Sequence, residues 1–188
     1  MGEAPISPLG PAGGRDLGFR LAGFILVGLM SAAGQSTVEE YQLKGGFIYS
    51  IAKFVEWPAG NFASPGDPLV GCILGESPIG AALEQATRDR EINGRKLAIR
   101  PIPDARRTTG CSFIFVSLSA QKFWRDALND ARLNGILTIG EGDALDGVIV
   151  NLKRDGDKIR IQIDLDAAKR GKIQISSRLL SLSEIVKR

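Results

Sequence analysis

Cys72 and Cys111 are the two side chains with the most committed chemistry in a 188-residue chain that contains no histidine. The missing imidazole removes the commonest general base, the usual partner of a nucleophilic serine and the commonest metal ligand together. Two thiols without imidazole do not complete a standard tetrahedral zinc site, so no metal site is expected. The cysteines admit two readings, a disulfide or two separate buried thiols, and the compartment decides between them. No C-x-x-C spacing supports a redox-active pair. The carboxylates are scattered over polar faces rather than paired on an apolar background, which leaves no acid–base couple of the glycosidase kind. No catalytic residue and no cofactor are therefore expected. Gly71-Cys72-Ile73-Leu74-Gly75-Glu76-Ser77-Pro78-Ile79-Gly80 occupies a strand-to-helix turn, but its spacing is not that of a dinucleotide loop. Gly140-Glu141-Gly142-Asp143 reads as a loop and helix cap.

Charge excludes a further class. The net charge is +3, with no run of five or six like charges, so no nucleic-acid partner is expected. Arg95, Lys96, Arg106 and Arg107 form one basic group; Lys169, Arg170, Lys172 and Arg178 form another. Arg178 is read in the first turn of a helix, where free N–H groups attract anions. Trp57 is either a packing residue or a binding anchor at a loop mouth.

These groups need a scaffold. From Val38 to Val55, residues Tyr41, Phe47, Ile48, Ile51, Ala52, Phe54 and Val55 recur at helical spacing, and Trp57-Pro58 ends the helix. Gly45-Gly46 inside it predicts a close neighbour. After a Pro-rich loop over 58–68, strands over 70–74, 97–101, 113–117, 135–139 and 148–152 alternate with helices near 79–87 and 120–131. Ala120, Phe123, Trp124, Ala127, Leu128 and Ala131 share the stripe of the second helix. Asp155-Gly156 predicts a hairpin into Lys158–Leu165, whose isoleucines alternate with polar residues. A short extended piece over 173–175 precedes a helix opened by Ser176 or Ser177 and docked by Leu179, Leu182 and Val186. The expected fold is a single-domain three-layer α/β sandwich, its sheet mostly parallel with an antiparallel edge hairpin. The carboxyl end of such a sheet is the default ligand crevice.

The start of the chain sets the compartment. Arg15 and Arg20 precede an uncharged apolar run from Leu21 to Met30, followed by the small residues Ser31-Ala32-Ala33-Gly34, as in a secretory signal peptide. The run is shorter than the roughly 20 apolar residues of a membrane span. Residues 1–34 are expected to be removed near Ala33 or Gly34, leaving residues 35–188 as the periplasmic domain at an unchanged net charge. In that oxidising compartment a disulfide would close a loop of about 40 residues, worth roughly 3–4 kcal/mol in the chain-entropy model.

Tyr41-Gln42-Leu43-Lys44-Gly45-Gly46-Phe47-Ile48-Tyr49, Lys53-Phe54-Val55-Glu56-Trp57-Pro58, Cys72-Ile73-Leu74-Gly75, Cys111-Ser112-Phe113-Ile114-Phe115, Leu137-Thr138-Ile139-Gly140, Ile163-Asp164-Leu165-Asp166-Ala167-Ala168 and Ile175-Ser176-Ser177-Arg178-Leu179-Leu180 occur in that order. Together they resemble the YfiR-like family of periplasmic regulators. The resemblance implies a non-enzymatic repressor that binds the periplasmic sensor region of an inner-membrane diguanylate cyclase or other sensor protein, and an outer-membrane lipoprotein that sequesters the repressor. It also implies a homodimer and a disulfide between Cys72 and Cys111. A small-molecule pocket of that family lies between the residue before Trp-Pro and the strand before the final helix. Here those places hold Glu56, Gln174 and Ser176 instead of basic and imidazole groups, which with Trp57 and Arg178 make up the expected binding residues. The alternative reading is a periplasmic small-molecule module that presents its ligand to a membrane receptor such as a histidine kinase.

Overall fold

The computed structural model describes residues 31–58, 60–104, 106–124, 135–143 and 146–187. The expected signal peptide and Ala127, Leu128 and Ala131 of the expected second helix lie outside them, apart from 31–34, which open the first helix. The chain divides into two units, Met1–Gln35 and Ser36–Arg188, and the fold described here is that of the second.

Helix α1 runs over Ser31–Lys53 and stops three residues before the expected Glu56-Trp57-Pro58 boundary. The reason is pairing: Phe54 O accepts a 3.0 Å hydrogen bond from Ser176 N, and Val55 and Glu56 form strand β1. β1 runs antiparallel to β8, Gln174–Ile175, with Val55 opposite Ile175 and Glu56 opposite Gln174.

The main sheet has seven strands in the order β3-β2-β4-β5-β6-β7-β9. Its members are β2 Leu69–Leu74, β3 Leu97–Ile102, β4 Phe113–Val116, β5 Leu137–Glu141, β6 Val150–Asp155, β7 Lys158–Asp164 and β9 Glu184–Val186. All neighbours are parallel except β6 and β7, the hairpin predicted from Asp155-Gly156. Period-two alternation splits the central strands β2 and β4 between two cores. Ile73, Phe113 and Phe115 join Ile48, Ile51 and Leu83 on the face covered by α1 and by α2, Ile79–Thr87. Cys72, Leu74, Ile114 and Val116 join Ala120, Trp124 and Val148 on the other face. The three-layer reading is thus the observed one. Gly45 supplies the close approach of α1 to α2: a Cβ there would stand 3.0 Å from the backbone of Ala82.

Three local expectations change. Leu118–Phe123 form a 3-10 turn in which Ala120 is buried but Phe123 is 67 % exposed, so Phe123 leaves the expected stripe. Gly140 and Glu141 lie in β5 rather than in a loop and helix cap. The C-terminal helix is short. After α3, Leu165–Arg170, helix α4 covers only Ser177–Leu180 and gives way to β9. Ser181 Oγ and Ser183 Oγ donate to the carbonyls of Arg178 and Leu180, local bonds that compete with helix continuation. The β-branched pair Ile185-Val186 then takes the free edge of β7. Leu182 is 71 % exposed and Val186 lies in a strand, so neither docks a helix.

Candidate functional site

The helix end, the last strand pair and α4 bring four of the expected residues into one neighbourhood. Glu56 and Gln174 are opposed and exposed, and Ser176 follows directly and caps α4, accepting from Leu179 N at 3.4 Å. The Arg178 guanidinium lies over the Phe54 ring at 5.6 Å. Only Ser177 separates Ser176 from Arg178, but α4 is too short to offer the anion-attracting N-terminus expected of it, and its Leu179 N–H already serves the Ser176 cap. The expected basic attraction therefore rests on the guanidinium alone.

Trp57 turns elsewhere. Its indole N–H donates to Ser112 O at 2.7 Å, and its ring meets Phe62 edge-on at 6.3 Å. The Arg95 guanidinium stacks on Phe62 at 3.8 Å and binds Ser64 O and Asp67 O. The half-buried Trp57 fastens the 58–68 loop to the start of β4, and the structure does not bring it into one cluster with Arg178.

Cys72 and Cys111 form a disulfide, with Cα atoms 5.7 Å apart, inside the second core. Arg100 lies against both sulfurs and donates to Thr109 O at 2.7 Å.

Beside α4 runs a groove of about 780 Å³ between α1 and the hairpin, floored by Phe47, Phe54, Ile159 and Ile161 and edged by Arg178 and Leu182. Ile159 and Ile161 of β7 are half-buried beside this groove, and the exposed Lys158 and Arg160 border it too.

The expected ligand crevice is filled by the chain itself. Strand order reverses between β2 and β4, and at their carboxyl ends Ser119 Oγ accepts from Glu76 N at 3.0 Å and meets Ser117 Oγ at 2.8 Å. At the end of β5, the fully buried Glu141 accepts from Lys44 Nζ, from Tyr41 Oη at 3.2 Å and from Leu118 N at 3.3 Å. Lys44 also pairs with Glu40 at 2.6 Å, and Glu40 with Arg154 at 2.9 Å. Burial pushes the Tyr41 phenol up, and the neighbouring Glu141 carboxylate pushes the same way. Burial alone would lower the Lys44 ammonium; its hydrogen bonds to Glu141 and Glu40 outweigh that and raise it. Neither Lys44 nor Glu141 is singled out by sequence reasoning. A lysine on the buried side of an apolar helix was the available signal, because such a cation needs a partner.

Comparison with known families decides the assignment: a family model described as YfiR/HmsC-like matches residues 41–184. The chain belongs to the YfiR/HmsC-like family. That family regulates cyclic di-GMP signalling from the periplasm without catalysis. Among curated proteins no match is found. Two solved structures share the fold. An ABC domain in complex with L-Trp from Streptococcus pneumonia aligns at 11 % identity and a TM-score of 0.52 over 78 % of this chain and 60 % of its own. A conserved domain protein from Vibrio cholerae aligns at 12 % identity, with the same TM-score of 0.52 and the same 78 % and 60 % coverage. This YfiR/HmsC-like chain thus spans about 60 % of the length of both structures. Among the described residues no helix is long and apolar enough to cross a membrane.

Proposed function

We propose that the chain is exported, loses residues 1–34, and in the periplasm binds and represses the sensor region of an inner-membrane signalling protein, most concretely a diguanylate cyclase. The family match over 41–184 is the observation that supports this reading. In it the protein acts by contact, as a homodimer, and an outer-membrane lipoprotein competes for the same repressor. Glu56, Gln174, Ser176 and Arg178 are the proposed contact residues of the β1–β8 end, and Trp57 supports the loop behind them.

Capture of solubilised membrane proteins on the immobilised 35–188 domain tests this. Recovery of a cyclase or another sensor with a periplasmic region supports the reading; recovery of none overturns it. The groove of about 780 Å³ favours a second reading, a small-molecule module presenting its ligand to a receptor such as a histidine kinase. A thermal-shift screen of amino acids, nucleotides and cell-wall fragments separates the two. A true ligand at about 100 times its Kd stabilises by about 2.7 kcal/mol.

A further inference from the structure

β7 is longer than the strand that covers it. β9 pairs only with Gln162, Ile163 and Asp164, so the outer edge of β7 over Lys158–Ile161 has no strand partner among the described residues. Alternate residues of a strand direct their N–H and C=O groups to opposite sides, so half of this stretch faces away from β6. The chain that would cover it, just before Glu184, instead turns back through α4. The vacancy coincides with the groove floored by Phe47, Phe54, Ile159 and Ile161. An open edge with an apolar wall on one side is a template for an added strand.

We propose that the outer edge of β7 at Lys158–Ile161 binds an extended partner segment of alternating apolar and acidic residues, which continues the line of β9. Backbone pairing supplies the direction of binding, and side-chain alternation supplies the selectivity. The segment's apolar side chains enter the groove beside Ile159 and Ile161, and its carboxylates stand beside Lys158 and Arg160 at the groove's border, as cross-strand pairs do. Among the described residues Lys158 forms no salt bridge, though its charge acts on Asp155; Arg160 pairs with Asp155 at 2.5 Å and also feels Glu184. Glu56, Gln174 and Ser176 do not line this groove, which adjoins the β1–β8 end only through Phe54 and Arg178. The proposal rests on the reading of the chain as a protein-binding regulator.

The test uses the 35–188 domain and two acetylated heptapeptides, one alternating valine with glutamate and one alternating valine with lysine. The glutamate peptide is expected to bind about tenfold more tightly, since two favourable and two unfavourable cross-strand pairs separate the peptides. The Lys158→Glu/Arg160→Glu variant reverses the preference. N-methylation of the glutamate peptide at successive residues abolishes and spares binding in alternation, because only every second N–H pairs with β7. Binding of neither peptide, equal tolerance of N-methylation at every position, or an unchanged preference in the double variant overturns the proposal. Capture of a membrane sensor by wild type and equally by the double variant would sink this edge site alone. Peptide binding without any sensor capture would instead sink the repressor reading.

Discussion

At the carboxyl end of β5, Glu141 is fully buried and its carboxylate is bonded by Lys44, Tyr41 and Leu118 N; at the outer edge of β7, Lys158–Ile161 present backbone groups with no strand partner among the described residues. The first place is where open α/β sheets ordinarily receive ligands. Here α1 projects two polar side chains into it and the serines after β4 close the switch point. The contrast shows that a sheet topology names a place for a site without leaving it vacant. Recognition by this chain is accordingly sought at its edges, where α1 leaves a groove rather than filling one.

The comparison breaks most readily at Glu141. Glu141→Ala removes the carboxylate and strands the Lys44 ammonium, 3 % exposed, with Glu40 as its remaining partner. A loss of about 3–5 kcal/mol in urea unfolding is expected, because the buried charge is left undercompensated. The Lys44→Met/Glu141→Leu pair, which removes both charges, should lie within about 1 kcal/mol of wild type or above it. A cost below about 1 kcal/mol for Glu141→Ala would mean that the pair does not close the crevice.

The disulfide gives the next largest effect and separates the two regions. Replacing Cys72 and Cys111 by serine opens a loop with a sequence separation of 39, worth about 3–4 kcal/mol. The bond lies in the second core, away from the residues lining the β7 groove. Reduced thermal stability with retained capture of the membrane sensor is the expected result; loss of capture in a variant that is still folded would tie the edge to the disulfide.

The sequence makes local and periodic features visible and hides long-range pairing. Asp155-Gly156 and the alternating isoleucines give away the β6–β7 hairpin because turn chemistry and side-chain period are local. Gly45 advertises a close contact, and the Ala82 backbone provides it. The ends of α1 and α4 are not legible because the deciding partners are distant in sequence: Ser176 bonds Phe54 O, and Ile185-Val186 pairs with β7. In the same way, Lys44 and Glu141 are 97 residues apart, and only the fold brings them together. Of the expected binding residues, pairing across β1 and β8 joins Glu56 to Gln174, whereas the indole bond to Ser112 holds Trp57 in the loop framework.

A smaller effect should emerge in alkali. Tyr41 and Lys44 are both held above their ordinary values of 10.0 and 10.5, so each binds its proton more tightly in the folded chain than in the unfolded one. Their contribution is complete below those ordinary values and is lost as pH rises through the higher folded ones. Glu141, Glu40 and Arg154 complete the charged surroundings. Urea midpoints measured from about pH 8 to 11 should fall more steeply for wild type than for Lys44→Met/Glu141→Leu. Parallel curves would show that the cluster does not hold these protons.

The smallest expected stability change is at the groove, and for that reason it is the sharpest test of function. Leu182 is 71 % exposed, so Leu182→Glu removes little buried surface and should alter unfolding by no more than about 0.5 kcal/mol. It also places a carboxylate at the mouth of a groove whose proposed occupant is acidic and apolar. Both changes oppose binding, one by taking away an apolar contact and the other by like-charge repulsion. Capture of the sensor should therefore weaken in a variant whose unfolding curve overlays that of wild type, with Leu182→Met retaining capture as the size-matched control. Undiminished capture by Leu182→Glu would return the contact surface to Glu56, Gln174 and Arg178, and the open edge of β7 would then be an unpaired strand end without a partner.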